Sequence, residues 1–403
     1  MLSRRRFLAG AVAGLVPMLL AACAAATRTL SPRASASPAP TAASTTPAIV
    51  SAAPSATAGG PSLRAKIAQM LVVGFRGLTP DEAAPTLREI ADLGLGGVVL
   101  FGVDQPTGGP RNVASPRQLT ALVGALGDAA TLAPLLVTID QEGGRVARLG
   151  PGHGFPPSGR SAAELGRIND PDLTRAEARA TAEVLNAAGI TLNLAPVVDL
   201  AINPENPIIA GIERSYGADP AVVIAHATAV IEAHHQVGLR CALKHFPGHG
   251  SSAGDTHLGV VDVTDRWSET ELEPFAALVD GGLADAILTA HVFNARLDPD
   301  HPATLSRSTI TGVLRDRIGF DGAVLSDDLQ MGAIRDAVGY DEAVALAIEA
   351  GVDLLLIANQ IAYEEDVVPR TIELIEGLVR SGRLGEARID ESWRRILALK
   401  GAR

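Results

Sequence analysis

Eight short runs of apolar and β-branched residues punctuate the chain: Met70 to Phe75, Gly97 to Phe101, Leu135 to Ile139, Thr191 to Pro196, Cys241 to His245, Ala286 to Ala290, Ala323 to Ser326 and Val352 to Ile357. Each is continuously apolar rather than alternating, so each reads as a strand buried on both faces, the mark of a parallel sheet covered by helices. Ala-rich stretches with helical periodicity separate them. Asp170 to Ala188 and Asp219 to Val237 each open on Asp-Pro and are followed by glycine, which are helix start and stop signals. Eight strand-helix units predict an α/β fold, a (β/α)8 TIM-type barrel forming a single domain over residues 62–403. A doubly wound open sheet is the rival arrangement.

The polar positions respect this pattern. Asp140 follows the third run, Asp199 the fourth, Lys244 and His245 end the fifth, His291 ends the sixth, and Asp327 and Asp328 end the seventh. In a barrel those strand ends converge on one mouth, so residues distant in sequence would meet there. A hydrolytic or group-transfer site is the expectation.

The N-terminus is of another kind. A basic start at Arg4-Arg5-Arg6 precedes an apolar segment from Phe7 to Ala22 that Pro17 interrupts, which reads as a signal peptide rather than a spanning helix. Leu20-Ala21-Ala22-Cys23 resembles a bacterial lipobox, so residues 1–23 are expected to direct export and Cys23 to carry lipid. Residues 24–61, almost wholly Ala, Ser, Thr and Pro, read as a disordered tether. As a flexible coil it would hold the domain about 35 Å from the membrane. These features imply an extracytoplasmic, membrane-anchored lipoprotein that touches the membrane only through its N-terminus. The second cysteine, Cys241, falls in an apolar run and is expected to be a buried thiol without a disulfide.

Composition narrows the partners. A formal charge of −11 and the lack of a visible basic patch argue against nucleic acid as a partner. No phosphate loop or dinucleotide motif occurs, and no cofactor is expected.

The densest chemistry lies in Lys244-His245-Phe246-Pro247-Gly248-His249-Gly250 and the following Asp255-Thr256-His257. Asp255 and His257 are one residue apart, so in an extended loop both side chains lie on one side. A carboxylate bonded to one ring nitrogen fixes the tautomer and favours the charged ring, giving an acid/base pair. A zinc site from His245, His249 and His257 is a weaker reading, because the spacing matches no helix-borne ligand pattern. After the seventh run, successive strand residues point to opposite sides, so only one of Asp327 and Asp328 can enter the mouth. The other would cap a helix or bond backbone amides. Asp140-Gln141-Glu142-Gly143-Gly144-Arg145 and Arg148 join carboxylates to arginines in one loop, which suits polyhydroxylated ligands.

Those motifs, together with Asn193-Leu194-Ala195-Pro196-Val197-Val198-Asp199, Arg214-Ser215-Tyr216-Gly217 and Ser326-Asp327-Asp328-Leu329-Gln330-Met331, resemble family 3 glycoside hydrolases. Within that family they are similar to the peptidoglycan-type β-N-acetylglucosaminidases. The resemblance implies that Asp327 is the nucleophile and Asp328 its partner facing away. It implies His257, paired with Asp255, as acid/base, and sugar binding at Asp140, Arg148, Arg214, Lys244 and His245. His249 matches the motif without an assigned role. A retaining exo-hydrolase follows, acting through a covalent glycosyl-enzyme on a small carbohydrate or muropeptide as a monomer. Lys244 and Arg214, if close, would keep Asp327 ionised. A phosphorylase or β-glucosidase of the same family, or a non-catalytic sugar-binding lipoprotein, are the alternatives. Gly248, Gly250 and Gly254 are the expected hinges of the loop.

Overall fold

The computed structural model describes residues 60–401, Asp336 excepted. The expected leader, Cys23 and residues 24–59 of the expected tether lie outside the described residues. Eight strands form the sheet: β1 Leu71–Gly74, β2 Gly97–Leu100, β3 Leu136–Ile139, β4 Leu192–Asn193, β5 Arg240–Phe246, β6 Ala286–Thr289, β7 Ala323–Leu325 and β8 Leu355–Ile357. All neighbours run parallel, in the order β7-β6-β5-β4-β3-β2-β1-β8.

The remaining seam, between β7 and β8, is narrow. One parallel bridge, Leu325 to Leu354, spans it. The Ser326 amide donates to the Leu354 carbonyl at 2.9 Å, and the Leu356 amide donates to Ser326 Oγ at 2.9 Å, so a hydroxyl continues the ladder where backbone pairing stops. The sheet therefore closes as a barrel, and the open-sheet alternative falls.

Every strand position except Arg240 is buried, which explains why the runs carry no polar alternation. Helices Pro116–Asp128, Pro171–Ala187, Pro220–His235, Glu273–Asp280, Tyr340–Ala350, Val367–Arg380 and Glu386–Lys400 follow the strands. The two Asp-Pro signals work as the sequence suggests. Asp170 accepts from the Asp172 and Leu173 amides, Asp219 accepts from the Ala221 amide, and Pro171 and Pro220 occupy the first helical position, where no amide hydrogen is needed.

One strand is shorter than its apolar run. Pro196 has no N–H to give a ladder, so β4 ends at Asn193. The chain still follows β5, with the Val198 amide donating to the Lys244 carbonyl at 2.8 Å. That excursion carries Asp199 to the mouth. At the opposite end, the buried Lys400 ammonium donates to Gln69 Oε1 at 2.6 Å and to the Gly96 carbonyl at 2.7 Å, tying the last helix to the barrel floor. Cys241 is a free buried thiol in β5, and burial pushes its pKa up. No helix among the described residues is long and apolar enough to cross a membrane.

Candidate active site

A cavity of about 480 Å³ opens at the C-terminal ends of the strands. Asp140, Arg148, Arg214, Lys244, His245, Asp255, His257 and Asp327 all line it. The structure thus brings together every residue the sequence singled out for catalysis or sugar binding, drawn from strands three, four, five and seven and their loops.

Its floor is a buried ion network. Lys244 Nζ donates to Asp140 Oδ1 at 2.6 Å and lies 2.7 Å from Glu142 Oε1. Arg214 grips Glu142 with two parallel bonds of 2.8 Å, donates to the Ile208 carbonyl at 3.0 Å, and lies 3.3 Å from His245 Nε2. Burial opposes ionisation of Asp140 and Glu142, but Lys244 with Arg148 at the first, and Arg214 with Lys244 at the second, hold both carboxyls well below the usual range. Arg148 completes the rim, with Nη2 donating to Asp140 Oδ2 at 3.3 Å. Its buried Nε has no hydrogen-bond partner among the described residues.

Glu142 is the central residue that sequence reasoning left unassigned. Its signal was its place two residues after Asp140, in the same loop. Asp199 is the second. It is buried, and its two oxygens take the His245 ring Nδ1 at 2.7 Å, the His245 amide at 3.1 Å and the His249 amide at 2.7 Å. Lys244 and His245 both line the cavity although they are adjacent on a strand; the peptide between them is cis.

At the end of β7 the two aspartates part. Asp328 is buried and its Oδ1 accepts from the Ala358 amide at 2.9 Å, a bond that ties the end of β7 to the end of β8, and from the Gln330 amide at 3.1 Å in its own turn. Burial pushes its carboxyl up to about 6. Asp327 faces the cavity and, among the described residues, accepts the Asp328 amide, at 2.8 Å. Burial raises its pKa, but the imidazoles of His291, His245 and His257 outweigh this and hold it below the usual carboxylate range. These imidazoles, rather than Lys244 and Arg214, favour the ionised form, because the two long cations are already neutralised by Asp140 and Glu142. His291, buried at the end of β6, stays close through bonds to the Asp328 carbonyl at 2.9 Å and to Thr304 Oγ1 at 2.8 Å.

The loop after β5 carries the dyad. His257 Nδ1 lies 2.6 Å from Asp255 Oδ1, with the His257 side chain 59% exposed. Nε2 is then the ring nitrogen available to a ligand. The loop is docked: the Gly332 amide donates to the His257 carbonyl at 3.2 Å and the Ala333 amide to the Thr256 carbonyl at 3.1 Å. Two of the expected hinges are instead fixed points. A Cβ at Gly250 would sit 1.7 Å from the Leu200 carbonyl oxygen, and one at Gly248, where φ is +115°, would sit 2.6 Å from Glu271 Cβ. Close packing explains Gly250, and close packing with a left-handed backbone explains Gly248; of the three only Gly254 has no such clash, its nearest neighbour being a Val261 methyl at 3.3 Å. His249 binds Ser252 and Thr256 through its two ring nitrogens, and His245 spends Nδ1 on Asp199. Among the described residues no group of three His, Cys, Asp or Glu is placed to hold a metal ion.

The family model for the glycosyl hydrolase family 3 N-terminal domain matches residues 62–399. The chain belongs to glycosyl hydrolase family 3. It is 40% identical over 269 residues to a beta-hexosaminidase of Tolumonas auensis, covering 66% of this chain and 76% of that one. It is 34% identical over 351 residues to the beta-hexosaminidase LpqI of Mycobacterium tuberculosis, covering 84% and 83%. Among solved structures, a family 3 beta-N-acetylglucosaminidase from Paenibacillus sp. superposes with a TM-score of 0.75 at 36% identity, covering 85% of this chain. The present chain spans 62% of that protein's length. Family 3 membership accounts for the barrel and for the motifs at its mouth.

Proposed function

We propose that this protein is a retaining exo-β-N-acetylglucosaminidase that releases terminal N-acetylglucosamine from cell-wall glycosides. The single observation that carries the reading is one cavity shared by an ionised, cavity-facing Asp327 and a solvent-accessible imidazole, His257, backed by Asp255. The relatives named above, a beta-hexosaminidase and a beta-N-acetylglucosaminidase, support the substrate class.

The chemistry follows from the placement. A carboxylate oxygen of Asp327 attacks the anomeric carbon while the bond to the leaving oxygen breaks. His257 Nε2 gives its proton to that oxygen, and Asp255 steadies the imidazolium before transfer. Water then attacks the glycosyl-enzyme, His257 takes up its proton, and Asp327 is released as carboxylate. Asp140, Lys244, Arg148 and Arg214 hold the sugar hydroxyls in a network whose carboxylates are each paired with a cation, so binding a neutral sugar need not break an ion pair. The lipobox at Cys23 and the tether support an extracytoplasmic, lipid-anchored location, with the enzyme acting as a monomer on wall fragments or wall ends.

The test is hydrolysis of a chromogenic β-N-acetylglucosaminide beside the corresponding glucoside, with His257→Ala and Asp327→Ala in parallel. The acetamido substrate should be preferred and both variants should lose activity. Preference for the glucoside, or a sugar phosphate as product when phosphate is added, would sink the reading.

A further inference from the structure

His249 is a buried motif histidine that the mechanism above leaves without work. Its amide donates to the same Asp199 oxygen, Oδ1, that takes the His245 amide. Its ring stands edge-on to His245, with centroids 5.8 Å apart. Ring Nδ1 lies 2.7 Å from Ser252 Oγ, and Nε2 lies 3.3 Å from Thr256 Oγ1. Thr256 is the residue between Asp255 and His257, and its side chain is buried while both neighbours reach solvent.

A neutral imidazole has one donor and one acceptor, and two hydroxyls can serve it in either sense, so the Ser252–His249–Thr256 chain is satisfied in both tautomers. Behind it the backbone is bolted. Asn206 Nδ2 donates to the His249 carbonyl at 2.8 Å, Asn203 Nδ2 donates to the Ser252 carbonyl at 2.7 Å, and Gly250 is packed against Leu200. Beyond Ser252, among the described residues, the side-chain hydrogen bond that ties the loop to the strand-five side is the one at Thr256 Oγ1, and on the far side the Gly332 and Ala333 amides hold its carbonyls.

We propose that His249 is a positioning residue, and that its bond to the Thr256 hydroxyl sets the acid/base dyad in register with the sugar-holding cluster through their common anchor, Asp199. This rests on the functional reading above and deepens it. His249 touches neither the sugar nor the scissile bond in this role. It fixes where His257 Nε2 stands relative to the leaving oxygen, a placement in which a displacement of about 1 Å costs about 10²-fold.

The test separates proton donation from everything else the site does. kcat/KM reports glycosylation alone. It is measured on a β-N-acetylglucosaminide with a sugar leaving group, which needs a proton, and on the 2,4-dinitrophenyl β-N-acetylglucosaminide, which does not. Thr256→Val keeps the shape and removes the hydroxyl. Its kcat/KM on the sugar glycoside should fall about tenfold or more relative to its kcat/KM on the dinitrophenyl glycoside. Thr256→Ser, which restores the hydroxyl, should recover most of that ratio, and His249→Ala should reproduce the loss. Equal loss on both substrates, no loss on either, or failure of Thr256→Ser to recover the ratio would overturn the proposal. Wild-type protein silent on both glycosides would overturn the functional reading and this inference with it. Should His249→Ala fail to fold, the two Thr256 variants still decide the matter.

Discussion

Asp327 and Asp328 share one peptide bond and lean toward opposite protonation states. Asp328 is pushed up to about 6 by burial, while the imidazoles around Asp327 hold it low against the same burial. The difference arises because only Asp327 faces the cavity, whereas Asp328 is spent on the backbone amides of Gln330 and Ala358.

Two substitutions should therefore fail in different ways. Asp327→Ala is expected to lose about 10⁴-fold or more in kcat with its unfolding midpoint near wild type. Asp328→Ala leaves two buried amides without an acceptor and should cost about 2 to 4 kcal/mol in urea unfolding. An Asp327→Ala protein that turns over normally, beside an inactive but stable Asp328→Ala protein, would reverse the assignment.

Glu271 gives a pH-dependent expectation. Its Oε2 accepts the Gly250 amide at 2.9 Å and the Ser251 amide at 3.3 Å, while Oε1 is buried without a hydrogen-bond partner among the described residues. Burial raises its pKa from 4.5 to about 7. A raised carboxyl means that the folded state holds the proton longer, so its contribution to stability is intact below pH 4.5 and is lost as pH rises toward about 7. Glu271→Gln cannot ionise. Its stability relative to wild type should rise across that window and level off above it, as followed by thermal unfolding at pH 4, 6 and 8. A flat difference would show that the carboxyl does not titrate there.

Lys244 is the cation shared by Asp140 and Glu142. Replacing it in Lys244→Met leaves two buried carboxylates with fewer charges between them, which should cost about 3 to 5 kcal/mol at pH 7. Both carboxyls are held low in the native protein, so their pairing stabilises the fold above their ordinary range and is lost as pH falls through their depressed values. Without that cation the two buried carboxyls of the variant take up protons more readily as pH falls, while those of the wild type stay ionised at pH 4, so the penalty of the substitution should be larger at pH 7 than at pH 4 in denaturant melts. Equal penalties would mean that Lys244 contributes packing rather than charge.

Much of this was legible in the chain. Continuous apolar runs are what a strand needs when both faces are covered, so the eight strands and their order could be read directly, as could the caps at Asp170 and Asp219. Polar residues at strand ends named the mouth. What the sequence hid depends on depth and on distant partners. Beyond its place two residues after Asp140, nothing local distinguishes Glu142, which is buried between Lys244 and Arg214, from an ordinary loop glutamate. Ser326 looks like a residue before an active carboxylate, yet its hydroxyl closes the barrel seam. Gly248 and Gly250 looked like hinges because a glycine chosen for freedom and one chosen for tight contact are the same letter; only the Leu200 carbonyl and the Glu271 side chain tell them apart.

The exposure of His257 also bears on how each catalytic cycle is reset. With its side chain 59% open to water, the ring has no buried relay between it and the bulk. Protons lost to the leaving group and regained from the attacking water can be exchanged with the medium itself, between turnovers as well as during them. The proton traffic of the enzyme thus runs directly to the medium, and its rate at fixed pH should not depend on how much buffer surrounds it.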